Sequence, residues 1–203
     1  MANFFQNACK PEGFGGKIVV NMMNSGHAKM AEWGFGFLRL GETDNILDIG
    51  CGGGANIAHM LKQCPKGTVK GIDYSAVSVE KSGKVNADAI KSGKCEVVCG
   101  SVMELPFEKE QFDVVTAFET VYFWPGFHKA FAQVYKVLKK DGTFFICNEA
   151  CGKNSADEKW TKMIEGMVIY TSEQLKQYLE EVGFTNIEAR ENDKGWLCIT
   201  AKK

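Results

Sequence analysis

Hydrophobic positions in this chain recur with two periods, and after residue 44 the two take turns. Short apolar runs of strand length read as β-strands at "NILDIG" (45–50), "TVKGID" (68–73), "CEVVCG" (95–100) and "FDVVTAF" (112–118). Between them, "ANIAHMLKQC" (55–64) and "AVSVEKSGKVNADAIKSG" (76–93) are helical, the second weakened by Gly83. Phe127, Ala130, Phe131, Val134, Val137 and Leu138 then mark one helical face, Gly142 follows "LKKD", and "TFFICNE" (143–149) returns as a strand. Strands alternating with helices predict parallel βαβ units joined by right-handed crossovers.

The C-terminal part breaks that rhythm. Thr171 and Gln174 have capping-box spacing at the start of a helix whose buried stripe is Leu175, Tyr178, Leu179 and Val182. Gly183 is placed to end it. Two strand-like runs follow, "TNIEARE" (185–191) and "GWLCITAKK" (195–203), with no helix between them. Parallel neighbours need a crossover of a dozen or more residues, so the short link predicts an antiparallel hairpin. The sheet is therefore expected to be mostly parallel with one reversed strand.

Composition narrows the classes of function. A chain of 203 residues suits one domain with a substantial core, and 45% hydrophobic with 24% charged residues is ordinary for a globular protein. A net charge of −1 gives no field for nucleic acid or anionic lipid. No apolar run approaches the ~18 residues of a membrane span. The first twenty residues lack a signal-peptide layout, and the eight cysteines sit largely in apolar runs, so a cytoplasmic protein is expected. No C-x-x-C pair occurs and the three histidines are scattered, so spacing predicts no metal site.

Candidate chemistry concentrates in "LDIGCGGGANIAHM" (47–60). Glycines here let a strand turn sharply into a helix while the backbone passes close to a ligand, and the helix N-terminus offers free N–H groups to an anion. Gly50-x-Gly52-x-x-Ala55 fits a dinucleotide fingerprint, and it fits an amino-acid-bearing nucleoside equally well. Asp48, two residues before Gly50, shifts the balance, because a carboxylate repels pyrophosphate and suits an ammonium group. Asp73 lies 23 positions after Gly50, near the ~20 expected for an acid that grips ribose hydroxyls. A ribose, an amino group and a carboxylate are together found in S-adenosyl-L-methionine (SAM).

"ILDIGCGGGANI", "GIDYS", "GSVMELPF", "FDVVTAFE" and "VLKKDGTFFI", in this order, resemble the class I SAM-dependent methyltransferases. The chain is most similar to their small-molecule branch, which includes the ubiquinone/menaquinone C-methyltransferase relatives. The resemblance covers roughly residues 44–203. It implies a doubly wound, Rossmann-like α/β fold: a seven-stranded, mostly parallel sheet with one antiparallel strand in a C-terminal hairpin. Residues 1–203 are then one methyltransferase domain, with 1–43 a helical cap, 44–203 the core and 150–170 a lid.

By the resemblance, Gly50 and Gly52 let the loop approach the methionine part, and Asp48 orients its ammonium. Asp73 accepts from both ribose hydroxyls, and Tyr74 packs on adenine. Ser101 stands where many relatives have an Asp facing the adenine amino group, which leaves backbone groups at Ser101 and Val102 to read the base. Phe118 and Glu119 line the crevice beside the methionine. The implied function is methyl transfer from SAM to a small-molecule acceptor; a SAM-binding accessory or sensor module without catalysis carries the same motifs. Nucleic acid is not the expected substrate, since "FETVYFWP" replaces the Pro-Pro-aromatic motif of amino-directed DNA enzymes and no Pro-Cys dipeptide occurs. Acceptor atom and oligomeric state stay open.

Methyl transfer from a sulfonium is an in-line displacement, so alignment and exclusion of water matter most, and a base matters only if the attacking atom carries a proton. Three segments are candidates for the substrate side. In 22–35, Asn24, Ser25 and His27 precede a helix with Met30, Trp33 and Phe37 on one face, Met22, Met23 and Met30 also reading as adaptable core. The aromatic "ETVYFWPGFH" (119–128) follows a strand end, and 150–170 has the length of a lid. His27 reads as a base or as a helix-start residue, Tyr122 as a functional phenol or as packing, and Glu149 as a functional acid or as a turn residue.

Overall fold

The computed structural model describes residues 11–13, 15, 16, 18, 20 and 26–203, with the backbone alone at 155 and 156. Asn24, Ser25, Met22 and Met23 lie outside the described residues. In chain order the elements are α1 (Ala28–Phe35), β1 (Asn45–Ile49), α2 (Ala55–Gln63), β2 (Thr68–Asp73), α3 (Ala76–Val85), α4 (Ala87–Lys91) and β3 (Cys95–Cys99). They continue with β4 (Phe112–Phe118), a 3-10 turn (Val121–Phe123), α5 (Phe127–Val137), β5 (Leu138–Asn148), α6 (Ser155–Met163), α7 (Ser172–Val182), β6 (Thr185–Glu191) and β7 (Leu197–Lys202).

The seven strands form one sheet in the order β3-β2-β1-β4-β5-β7-β6. β1 pairs in parallel with β2 and β4, β2 with β3, and β4 with β5. β7 runs antiparallel to both neighbours, so the C-terminal hairpin supplies the one reversed strand. Consecutive residues of the central strands are apolar because both faces are covered. Leu47, Val115 and Phe144 pack beneath α5 and α7, while Ile46, Val114 and Phe145 pack beneath α1 and α2. Strand order reverses between β1 and β4, and the crevice outside their carboxyl ends is where such sheets bind ligands.

Two local details differ from the sequence expectation. The helix over 76–93 is two helices, and it breaks at Asn86 rather than Gly83. The Asn86 side chain donates to the carbonyls of Gly54 and Ser82, tying the break to the turn that opens α2. Nothing stands within 4 Å of a Cβ at Gly83, so that glycine is simply carried in the helix. β5 starts at Leu138, five residues before the predicted 143, because "LKKDG" is drawn out along β4: Leu138 pairs with Phe112, and Lys139 Nζ donates to both Asp113 carboxylate oxygens at 2.8 Å.

The capping box at Thr171 and Gln174 is formed in both directions, and Gly183 closes α7 at φ +109. No helix among the described residues is long and apolar enough to cross a membrane.

Candidate functional site

The carboxyl end of β1 bends through glycines whose conformation no other residue adopts cheaply. Gly50 has φ +72, and a Cβ there would stand 2.2 Å from Thr120 Oγ1. Gly52 has φ +51 and faces open space, with nothing nearer a Cβ than the Gly50 carbonyl at 4.0 Å. That openness is one wall of a cavity of about 330 Å³, and the wall continues through Asp73, Tyr74 and Ser78, then Phe118 and Glu119. The volume sits at the small end of the roughly 300–1,000 Å³ typical of ligand pockets.

Two acids flank the bend, as the sequence predicts, and they have different surroundings. Asp73 faces the cavity. Its Oδ2 accepts from the Gly52 N–H at 2.9 Å and its Oδ1 from the Ser75 N–H at 2.8 Å. Burial raises its pKa, and those two N–H groups and Ser78 oppose the rise. Each oxygen keeps a further lone-pair site for a ligand hydroxyl. Asp48 lies under the loop, off the cavity wall and 2% exposed. Thr116 donates to its Oδ1 at 2.7 Å, while Oδ2 is buried with no partner among the described residues. Burial pushes its pKa up to about 7, and the nearby Asp73 charge adds to the rise.

Other predicted residues fall at varied distances from the cavity. Tyr74 is on its wall and 41% exposed, so its ring is accessible to a flat ligand. Ser101 and Val102 are off the wall: Ser101 Oγ accepts from the Met103 N–H, and the Val102 side chain is in the core. Segment 150–170 also stands off the wall, and the Val168 N–H is bonded to the Tyr122 carbonyl at 3.0 Å. The cavity is closed instead by α1 and by Pro11 and Val20, with the Pro11 carbonyl accepting from Ser75 Oγ at 2.6 Å.

The far end of the cavity is assembled from three elements. Glu119 follows β4 with φ +58, a strained conformation for a non-glycine residue. Its N–H donates to the Cys147 carbonyl at 2.9 Å. Its Oε1 accepts from the Tyr122 hydroxyl at 3.0 Å and from the Glu149 N–H. Burial, then the charge of Glu149, pushes the Glu119 pKa up to about 8.

Tyr122 is 3% exposed and off the wall; its oxygen also accepts from the Ala150 N–H at 2.9 Å, so it braces Glu119 from behind. His27 caps the start of α1 on the wall, with Nε2 3.9 Å from Glu149 Oε2. Burial lowers the His27 pKa against the pull of Glu149. One donor atom each from His27, Glu119 and Glu149 lie within 4.8 Å of one another. Spacing predicts no such group, because positions 27, 119 and 149 meet only through the sheet.

Sequence reasoning also missed Asn56 and His59, which face the cavity from α2, and Phe35, whose ring stacks on His59 at 4.1 Å. The available signal was the i, i+3 spacing of Asn56 and His59 on the helix that the glycine bend opens.

Residues 47–146 match the family model described as a methyltransferase domain. YrhH of Bacillus subtilis (strain 168) is 33% identical over 105 residues, 52% of this chain and 57% of that protein. The 24-methylenesterol C-methyltransferase 2 of Arabidopsis thaliana is 28% identical over 125 residues, 60% of this chain and 34% of that protein. The chain thus spans about a third to just over half the length of these curated relatives.

Among solved structures, a SAM-dependent methyltransferase from Aquifex aeolicus superposes with a TM-score of 0.76 at 16% identity, over 92% of this chain and 97% of that one. Geranyl diphosphate C-methyltransferase from Streptomyces coelicolor A3(2), solved with Mg2+, geranyl-S-thiolodiphosphate and S-adenosyl-L-homocysteine, gives 0.72 at 14%, over 86% and 75%. At such identities the likeness is one of fold. SAM is the cofactor of this family, and the site fits it: an open glycine bend, a cavity-facing acid for the ribose, and an orphaned buried carboxylate oxygen beneath the loop for an ammonium. Residues 47–146 thus form a methyltransferase domain, and the sheet around them has the fold of the SAM-dependent methyltransferases.

Proposed function

We propose that this chain transfers the methyl group of SAM to a small, partly apolar molecule. The single observation that carries the reading is the pair of acids around the glycine bend. Asp73 is anchored by two backbone N–H groups yet open to the cavity, and Asp48 lies buried with one oxygen unmatched. Bound SAM supplies a methyl group already activated by its sulfonium.

The chain's residues hold and align. Gly50 and Gly52 admit the methionine part, and Asp48 balances its ammonium through the loop. Asp73 accepts the ribose hydroxyls, Tyr74 covers the adenine, and the backbone at Ser101 and Val102 meets the base edge. Phe118 and Glu119 border the methionine, while α1 and Phe35 exclude water from the reacting end. His27 and Glu149 stand at the acceptor end, and Tyr122 supports them through Glu119. A small acceptor is supported by the modest cavity and by the aromatic rings on its wall, and the net charge of −1 favours it over nucleic acid. A cytoplasmic location is proposed with it, supported by six thiols packed in the core as small hydrophobes.

Isothermal calorimetry tests the reading. Wild type binds SAM saturably, and Asp73→Ala weakens binding roughly tenfold or more, since it removes charge-assisted hydrogen bonds. A wild-type protein that ignores SAM at millimolar concentration sinks it.

A further inference from the structure

We infer that His27, Glu119 and Glu149 form a proton-accepting station at the acceptor end of the cavity, and that the acceptor is a neutral protic group on a small apolar skeleton. The inference rests on the methyl-transfer reading above and names its substrate class.

Position comes first. His27 and Glu119 line the same cavity as Gly52 and Asp73, so the imidazole and the glycine bend open onto one space. Rigidity comes second. The Glu119 backbone is held at φ +58 by its bond to Cys147, and its Oε1 is occupied by Tyr122 and by the main chain of Glu149. One carboxyl therefore fixes the other's backbone, and Glu149 in turn faces His27 Nε2 at 3.9 Å.

Charge comes third. Among the described residues the cavity wall carries no Lys or Arg to balance a carboxylate or phosphate acceptor, and Phe35, Phe118 and Phe123 make part of that wall apolar. The same three donors have the composition of a divalent-cation site. One oxygen of Glu119 is, however, already engaged by the Tyr122 hydroxyl and the Glu149 N–H, which makes that carboxyl a poorer metal donor.

The step balances. A lone pair of the acceptor oxygen forms the new bond to the methyl carbon, and the carbon–sulfur bond breaks with its electron pair passing to sulfur. The acceptor proton goes to Nε2 of His27, and the imidazolium formed is balanced by Glu149. His27 is then the catalytic residue, and Glu149 and Glu119 are positioning residues. The titratable groups that face His27 are Glu149 from the end of β5 and Glu119 from the end of β4, with Tyr122 behind the latter. Glu32 lies further along its own helix on the same wall.

The test uses the whole chain with SAM and a panel of one-ring phenols and benzylic alcohols. The carboxylic acid and phosphomonoester of each skeleton are run beside them, in EDTA and with added Mn2+. The neutral protic members turn over without metal, with kcat/KM roughly tenfold or more above the anions. His27→Gln and Glu149→Gln keep SAM affinity by calorimetry, lower kcat about a hundredfold, and alter the acidic limb of the pH profile, where protonation silences the base.

A second readout needs no acceptor. Imidazole NMR titration of the three histidines, assigned by substitution, shows the His27 midpoint falling further in Glu149→Gln. Turnover that is absent from neutral members, confined to anions or dependent on Mn2+ overturns the inference, as does a His27 midpoint unmoved by Glu149→Gln. SAM binding retained throughout marks that failure as distinct from a failure of the methyl-transfer reading.

Discussion

The two ends of the cavity are built in opposite ways. At the cofactor end, Asp48, Gly50 and Gly52 lie within five consecutive residues, and Asp73 ends the neighbouring strand of a register-locked parallel pair. At the acceptor end, His27, Glu119 and Glu149 come from the start of α1 and the ends of two strands, positions 27, 119 and 149 in the chain. One end is local geometry that a short motif can specify. The other exists only once the sheet has closed. The comparison teaches that a cofactor end can be shared across a family while an acceptor end is rebuilt, because a change at any one of three separate elements re-aims it.

The sharpest way to break the comparison is at Gly50. Gly50→Ala places a Cβ 2.2 Å from Thr120 Oγ1 in a left-handed conformation. The expected outcome is a stability loss of roughly 4 kcal/mol in urea unfolding, with SAM binding abolished, since strain and overpacking each cost about 1–3 kcal/mol. A stable, SAM-binding Gly50→Ala would show that the bend is not the rigid part of the site.

Next in size is pH dependence. Asp48 and Glu119 have folded pKa values above those of free carboxyls, so their contribution to stability is complete at low pH. It is lost as pH rises through about 7 for Asp48 and about 8 for Glu119. Asp48→Asn is therefore expected to match wild type near pH ~4 and to exceed it by on the order of 2 kcal/mol above neutrality without cofactor. Urea unfolding across that range checks it. SAM should narrow the gap by giving the Asp48 carboxylate a cation. Glu119→Gln moves the same crossover about one unit higher, which separates the two ends by their pH windows.

The smallest effect belongs to a site that serves neither end. Thr171 caps α7 with both capping-box bonds in place, so Thr171→Ala costs about 1 kcal/mol and leaves SAM affinity unchanged. A change in affinity there would mean that the far side of the sheet is coupled to the cavity.

Sequence alone carried most of the fold. Apolar runs covered on both faces, the short link before "GWLCITAKK" and the capping box at Thr171 are all local patterns, and each reappears in the sheet and helices as expected. The boundaries that slipped did so through tertiary bonds. Asn86 breaks a helix because its amide reaches Gly54, and Leu138 joins a strand because Phe112 offers it an edge.

The glycine bend and the two acids beside it were legible because glycine conformation and strand-end acids are properties of a few adjacent positions. What only the tertiary structure decided is the role of each remaining group. It put Asp48 beneath the loop, Tyr122 behind Glu119 and segment 150–170 away from the cavity, and it brought His27 to Glu149. The physical reason is range. Backbone dihedrals and periodicity act over a few residues, whereas desolvation and charge pairing depend on which distant chains a strand order makes neighbours.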